Sequence, residues 1–76
     1  MFYFQTKDKT LFSYDNDTGV TFVFKDGEWK FSETIYGILV QEGVHELSKK
    51  EVKQLTNGVS IKGILNQVRN VLDVTI

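Results

Sequence analysis

Apolar side chains alternate along the first 31 residues and then change period. Phe2 and Phe4 share one parity, as do Phe12 and Tyr14, then Val20, Phe22 and Phe24, then Trp29 and Phe31. Period two is the mark of a strand with one face buried. Polar turn segments separate the runs: "TKDKT" at 6–10, "DNDTG" at 15–19 and "DG" at 26–27. Links this short join antiparallel neighbours, so four strands in a meander are expected. The parity also implies that most of these aromatics lie under whatever covers the sheet.

The "DG" link decides a register. A two-residue loop sets Lys25 against Glu28, Phe24 against Trp29 and Phe22 against Phe31. All four aromatics then share one face, and Trp29, the single tryptophan, is a packing residue. A three-residue loop with Gly27 in a bulge would slip the pairing by one and face Trp29 with Val23. The first register is preferred.

Residues 34–44, "TIYGILVQEGV", fit two readings. Glycine costs about 1 kcal/mol in a helix interior, so Gly37 and Gly43 favour a fifth short strand near 35–41. A helical turn capped by Ser32 is the alternative. Beyond it the period becomes helical. Ser48 with Glu51 three residues on makes a capping box, with Leu47, Val52 and Leu55 as apolar contacts. "NG" at 57–58 suits the end of that helix. Ser60 caps a second helix, whose stripe is Ile61, Ile64, Leu65, Val68, Val71 and Leu72. Its other face carries Lys62, Gln67, Arg69 and Asn70, and the tail "DVTI" either frays or adds an edge strand. The expected class is α+β: an antiparallel four- to five-stranded meander followed by two C-terminal helices packed on one face.

Size sharpens this picture. Seventy-six residues make one small domain, and a core of that size contributes about 3–5 kcal/mol. There is no cysteine and only one histidine, His45, so neither a disulfide nor an intrachain thiolate or histidine metal site is expected. No cofactor is expected. Good packing, self-association or a partner must supply the remaining stability. The longest apolar cluster, "IYGILV" at 35–40, is too short to span a membrane. The N-terminus lacks the pattern of a signal peptide, and the chain reads as cytoplasmic.

Nine basic against ten acidic residues give a net charge of −1, which is not the bias of a DNA-binding domain. Lys49, Lys50, Lys53, Lys62 and Arg69 nevertheless gather on the two predicted helices and are the candidate nucleic-acid contacts. Base-stacking sheets place aromatics opposite their helices beside basic residues, and the motif they use is absent. "DNDTG" lacks the oxygen at position five and the glutamate at position twelve of a calcium loop; it reads as a hairpin turn. His45 has no evident nucleophile partner. Most acids sit at predicted turns, and no glycine-rich phosphate loop is present. The chain is therefore expected not to be an enzyme. Tyr3, with parity opposite to Phe2 and Phe4, and Tyr36 are the expected exposed aromatics. With Val23, Lys30 and the sheet edges they form the candidate protein-contact surface.

"DGEWKFS" followed by "ELSKKEVKQL" resembles small uncharacterised accessory proteins of phages and mobile elements of low-GC Gram-positive bacteria. The resemblance covers roughly residues 20–56 and rests on patterning. It implies no catalytic residue and a role in binding and modulating a host or phage protein. The leading expectation is a non-enzymatic protein-interaction module, of the kind that inhibits or regulates a host protein, that also self-associates. The alternatives are a nucleic-acid-binding accessory protein and a small-ligand binder or sponge with its pocket at an oligomer interface.

Overall fold

The four alternating runs form strands with the expected links. They are β1 (Phe2–Thr6), β2 (Leu11–Asp15), β3 (Val20–Lys25) and β4 (Glu28–Phe31). A short helix α1 (Tyr36–Gln41), strand β5 (Val44–Leu47) and helices α2 (Lys49–Leu55) and α3 (Lys62–Thr75) follow. The structure, a computed structural model, describes residues 1–75, and the side chains of residues 1–71. The sheet is antiparallel throughout, in the order β4-β3-β2-β1-β5. The meander therefore ends at β4, and β5 returns to the far side of β1. The architecture is α+β.

Turn chemistry sets each register. Asp26 and Gly27 both take positive φ, 55° and 78°, the requirement of a type I′ turn. The pairing is Lys25 with Glu28, Phe24 with Trp29, Val23 with Lys30 and Phe22 with Phe31, as the two-residue loop requires. The bulged alternative does not occur. At the β2–β3 turn the Asp15 carboxylate accepts from the Asp17 N–H at 3.3 Å and from the Thr18 hydroxyl at 2.7 Å. "DNDTG" is thus a self-bonded turn. Asp15 is buried there, and Arg69 of α3 approaches Asp15 at 3.7 Å and Asp17 at 3.5 Å.

The expectation that most aromatics share one face is corrected by the β2–β3 register. Phe12 pairs with Val23, not with Phe22 or Phe24. Residues paired across strands share a face, so β1 and β2 run out of phase with β3 and β4. One face buries Leu11, Phe22, Trp29 and Leu47 under Val52 of α2 and Ile61, Leu65 and Val68 of α3, with Tyr3 packed against them. The other buries Phe4 and Phe12 under Leu39 of α1, with Phe2, Tyr14 and Tyr36 alongside.

That second apolar face explains the correction at residues 35–41, which form α1 rather than a strand. Tyr36 and Leu39, three residues apart, land on one side of a helix. There they cover Phe4 and Phe12, which would otherwise be exposed. This tertiary gain overrides the cost of Gly37. Ser32 does not cap α1; its hydroxyl bonds Thr34 instead, and the N-cap is Ile35. Gly43, at φ +90°, lets the chain leave the helix and enter β5.

The later helices follow their signals more closely. Ser48 and Glu51 form the capping box. Asn57 and Gly58 take φ 54° and 80°, and their N–H groups bond the carbonyls of Gln54 and Lys53, a Schellman ending. The Ser60 hydroxyl accepts from the Lys62 N–H at 3.1 Å. Leu55 and Val71, expected to be apolar contacts, are exposed. The Leu72 side chain lies outside the described residues. Of the tail, Asp73–Thr75 continue α3 rather than adding a strand, and Ile76 lies outside the described residues.

Candidate functional site

The outer edge of β4 is open. Backbone pairs in an antiparallel ladder alternate between bonded and non-bonded. The Ser32 N–H donates to the Thr21 carbonyl at 3.0 Å, so the bonded pairs of this hairpin are Thr21 with Ser32, Val23 with Lys30 and Lys25 with Glu28. The backbone groups of Trp29 and Phe31 therefore point away from β3. Among the described residues no strand pairs with that side of β4. An open edge of this kind is a template for an incoming strand.

Side chains at this edge differ in availability. Trp29 is 7% exposed and packs edge-on against Phe24, with ring centroids 5.3 Å apart. Phe31, on the same side of the sheet, is 55% exposed. Leu55 at the end of α2 is 49% exposed, and it lines the same hollow as Phe31 and Phe24. That hollow measures about 830 Å³ but also touches Val23 and Lys30, whose parity places them on the opposite face. It wraps round the end of the sheet and does not enclose one ligand. Neither Phe31 nor Leu55 was a candidate from sequence. The available signal was position: Phe31 ends the last strand of the meander, where no later strand among the described residues covers it.

The four predicted contact residues separate. Tyr3 is not an exposed tyrosine. It is half-buried beneath α2 and α3, with its ring 6.2 Å from Trp29, because the face opposite Phe2 and Phe4 is the one those helices cover. Burial pushes its phenol above the ordinary value. Tyr36 is half-buried too, stacked on Tyr14 at 4.3 Å between ring centroids. Val23 is half-buried beside the same cluster. Lys30 is half-buried as well, and its ammonium sits 3.6 Å from Asp26 and 3.5 Å from Glu28. The structure brings Val23 and Lys30 together as cross-strand neighbours and leaves Tyr3 on the other face.

The basic residues separate as well. Lys49, Lys53 and Lys62 line one cleft of about 390 Å³ between α2 and the start of α3. Lys50 is exposed on α2 and does not line it. Arg69 is engaged with Asp15 and Asp17, so it does not belong to a free basic face. His45 is exposed on β5, opposite Gln5. Among the described residues no three His, Cys, Asp or Glu side chains gather as a metal site would require. In the β1–β2 turn, the Thr6 hydroxyl and then the Thr10 side chain and N–H hold the exposed Asp8 carboxyl below its ordinary value; this is turn chemistry. Among the described residues no helix is long and apolar enough to cross a membrane.

No protein-family model matches the chain, and neither a curated protein nor a solved structure matches it.

Proposed function

We propose that the chain is a non-enzymatic protein-interaction module that takes an extended segment of a partner protein onto β4. The observation that carries this reading is the open edge, with the outward backbone of Trp29 and Phe31 beside the exposed Phe31 and Leu55 side chains. In strand addition, main-chain hydrogen bonds supply affinity and neighbouring side-chain surfaces supply specificity. The resemblance to accessory proteins of phages and mobile elements supports a host protein as that partner, bound for inhibition or regulation.

Self-association at the same edge is less favoured than a different chain. An antiparallel pairing of two copies that matches Trp29 with Phe31 twice uses every outward group. It also sets the two Lys30 side chains directly opposite each other, and like charges so placed are destabilising. A partner strand with an acidic or neutral residue there avoids that cost.

The test uses the backbone. Phe31→Pro removes an N–H that points outward, so it deletes no hydrogen bond of the sheet. Phe31→Ala keeps the N–H and removes only the ring. Both variants should fold, as judged by Trp29 emission and circular dichroism. Capture of partner proteins from a lysate of cells that carry the gene should fall to background with Phe31→Pro and weaken with Phe31→Ala. A partner captured equally by wild type and Phe31→Pro would remove the β4 edge from the reading. A stable homodimer lost in Phe31→Pro would replace the heterologous partner with a second copy.

A further inference from the structure

We infer that the cleft between α2 and the start of α3 binds a small phosphorylated aromatic molecule, of the nucleotide class. This site shares only Trp29 with the β4 edge, through its side chain rather than its outward backbone, and does not depend on that edge. Its volume of about 390 Å³ falls within the range of small-ligand sites, roughly 300–1,000 Å³. Its lining divides into two chemistries. Half-buried Tyr3 and exposed Val59 present apolar surface over a floor of the buried Trp29, Val52 and Ile61. Lys49 and Lys53, four residues apart on one side of α2, stand with Lys62 at the first turn of α3.

The charge pattern selects the ligand. Among the described residues no carboxylate lines the cleft, and none of these three lysines forms an ion pair. Three uncompensated ammonium groups around one cleft repel one another, and a polyanion relieves that repulsion. Ammonium groups are compact point charges, suited to phosphate oxygens rather than to the planar pairing that arginine makes with carboxylates. A single carboxylate would leave two of the charges unmatched. The apolar lining asks for a body that gains by leaving water, and a nucleobase with its sugar provides one. Phosphate toward the lysines and base toward Tyr3 and Val59 uses both parts of the lining.

Trp29 lines the cleft and is the single tryptophan, so its emission reports on binding directly. Titration with ADP at low ionic strength should give a saturable change in that emission. Lys53→Gln and Lys62→Gln should each weaken binding by about two- to fivefold, the upper range of one ion pair at an exposed site. Lys50→Gln, outside the cleft on the same helix, should leave it unchanged; circular dichroism verifies that each variant is folded. Three results would overturn the site: no saturable change with ADP, equal weakening by Lys50→Gln and Lys53→Gln, or inorganic phosphate competing as well as ADP. A single-stranded oligonucleotide arm identifies the source of the ligand. Displacement of ADP by less oligonucleotide, counted per nucleotide, supports a site that reads a nucleotide within a strand. Weaker displacement supports a free nucleotide.

Discussion

The two faces of the sheet are built by different means. Under α2 and α3, residues from both ends of the chain converge: Leu11, Phe22 and Trp29 meet Val52, Ile61, Leu65 and Val68. Under α1 the core is smaller and mostly aromatic. Phe4 stacks on Phe12 at 5.5 Å, and Tyr36 stacks on Tyr14, while α1 contributes one buried residue, Leu39. Ile35, Ile38 and Val40 remain exposed around it. The first face is closed by two helices with four buried residues, whereas the second is a thin cover by one short helix over strands already paired. Stability should therefore be concentrated under α2 and α3, with α1 able to open on its own.

Trp29→Ala is the most severe way to test that contrast. Removing a buried tryptophan costs about 3–5 kcal/mol, which equals the whole contribution of a core this small. The variant should be unfolded at room temperature by circular dichroism. A folded Trp29→Ala protein would show that the α2/α3 face is not the main support.

Leu39→Ala tests the other face. Its cost should fall at the low end for a buried leucine, about 2–3 kcal/mol, because a short surface helix can relax into the space. Amide exchange should rise across residues 36–41 while Trp29 emission and the β3–β4 amides stay native. If exchange rises uniformly through the sheet, the two faces form one cooperative unit and the contrast fails.

The same contrast explains what was legible in the sequence. Turns and caps were readable because their chemistry is local. Asp26-Gly27 requires positive φ at both positions, and Ser48 with Glu51 satisfies a helix start with two side chains. Facing was not readable, because parity within a strand does not say which face a neighbouring strand shares. The β2–β3 register decided that, and with it the fates of Tyr3 and Phe12. α1 was hidden for a related reason: Gly37 masks the helix locally, and only the uncovered ring of Phe4 calls for it. Of the candidate contact surface, Lys30 and the sheet edge were legible. Phe31 was not, since a strand pattern carries no mark of being last. The cleft drew three lysines from the basic set together only through the path of α2 across the sheet.

Ser13 offers the smallest and sharpest probe of the face under α2 and α3. It is fully buried on β2, paired with Tyr3 on one side and Phe22 on the other, and its hydroxyl has no hydrogen-bond partner among the described residues. An unsatisfied buried hydroxyl carries its desolvation cost without return, and a same-shape apolar replacement is neutral or stabilising. Ser13→Ala should therefore raise the urea midpoint at unchanged slope, a gain of about 0.5–1 kcal/mol. Ser13→Val should lower it by about 1–3 kcal/mol, because added methyl groups between Tyr3 and Phe22 overpack the row. The small side chain is then what this row requires, and the hydroxyl is incidental to it. Loss of stability in Ser13→Ala would show instead that the hydroxyl is satisfied, and that this face holds a polar contact within its apolar core.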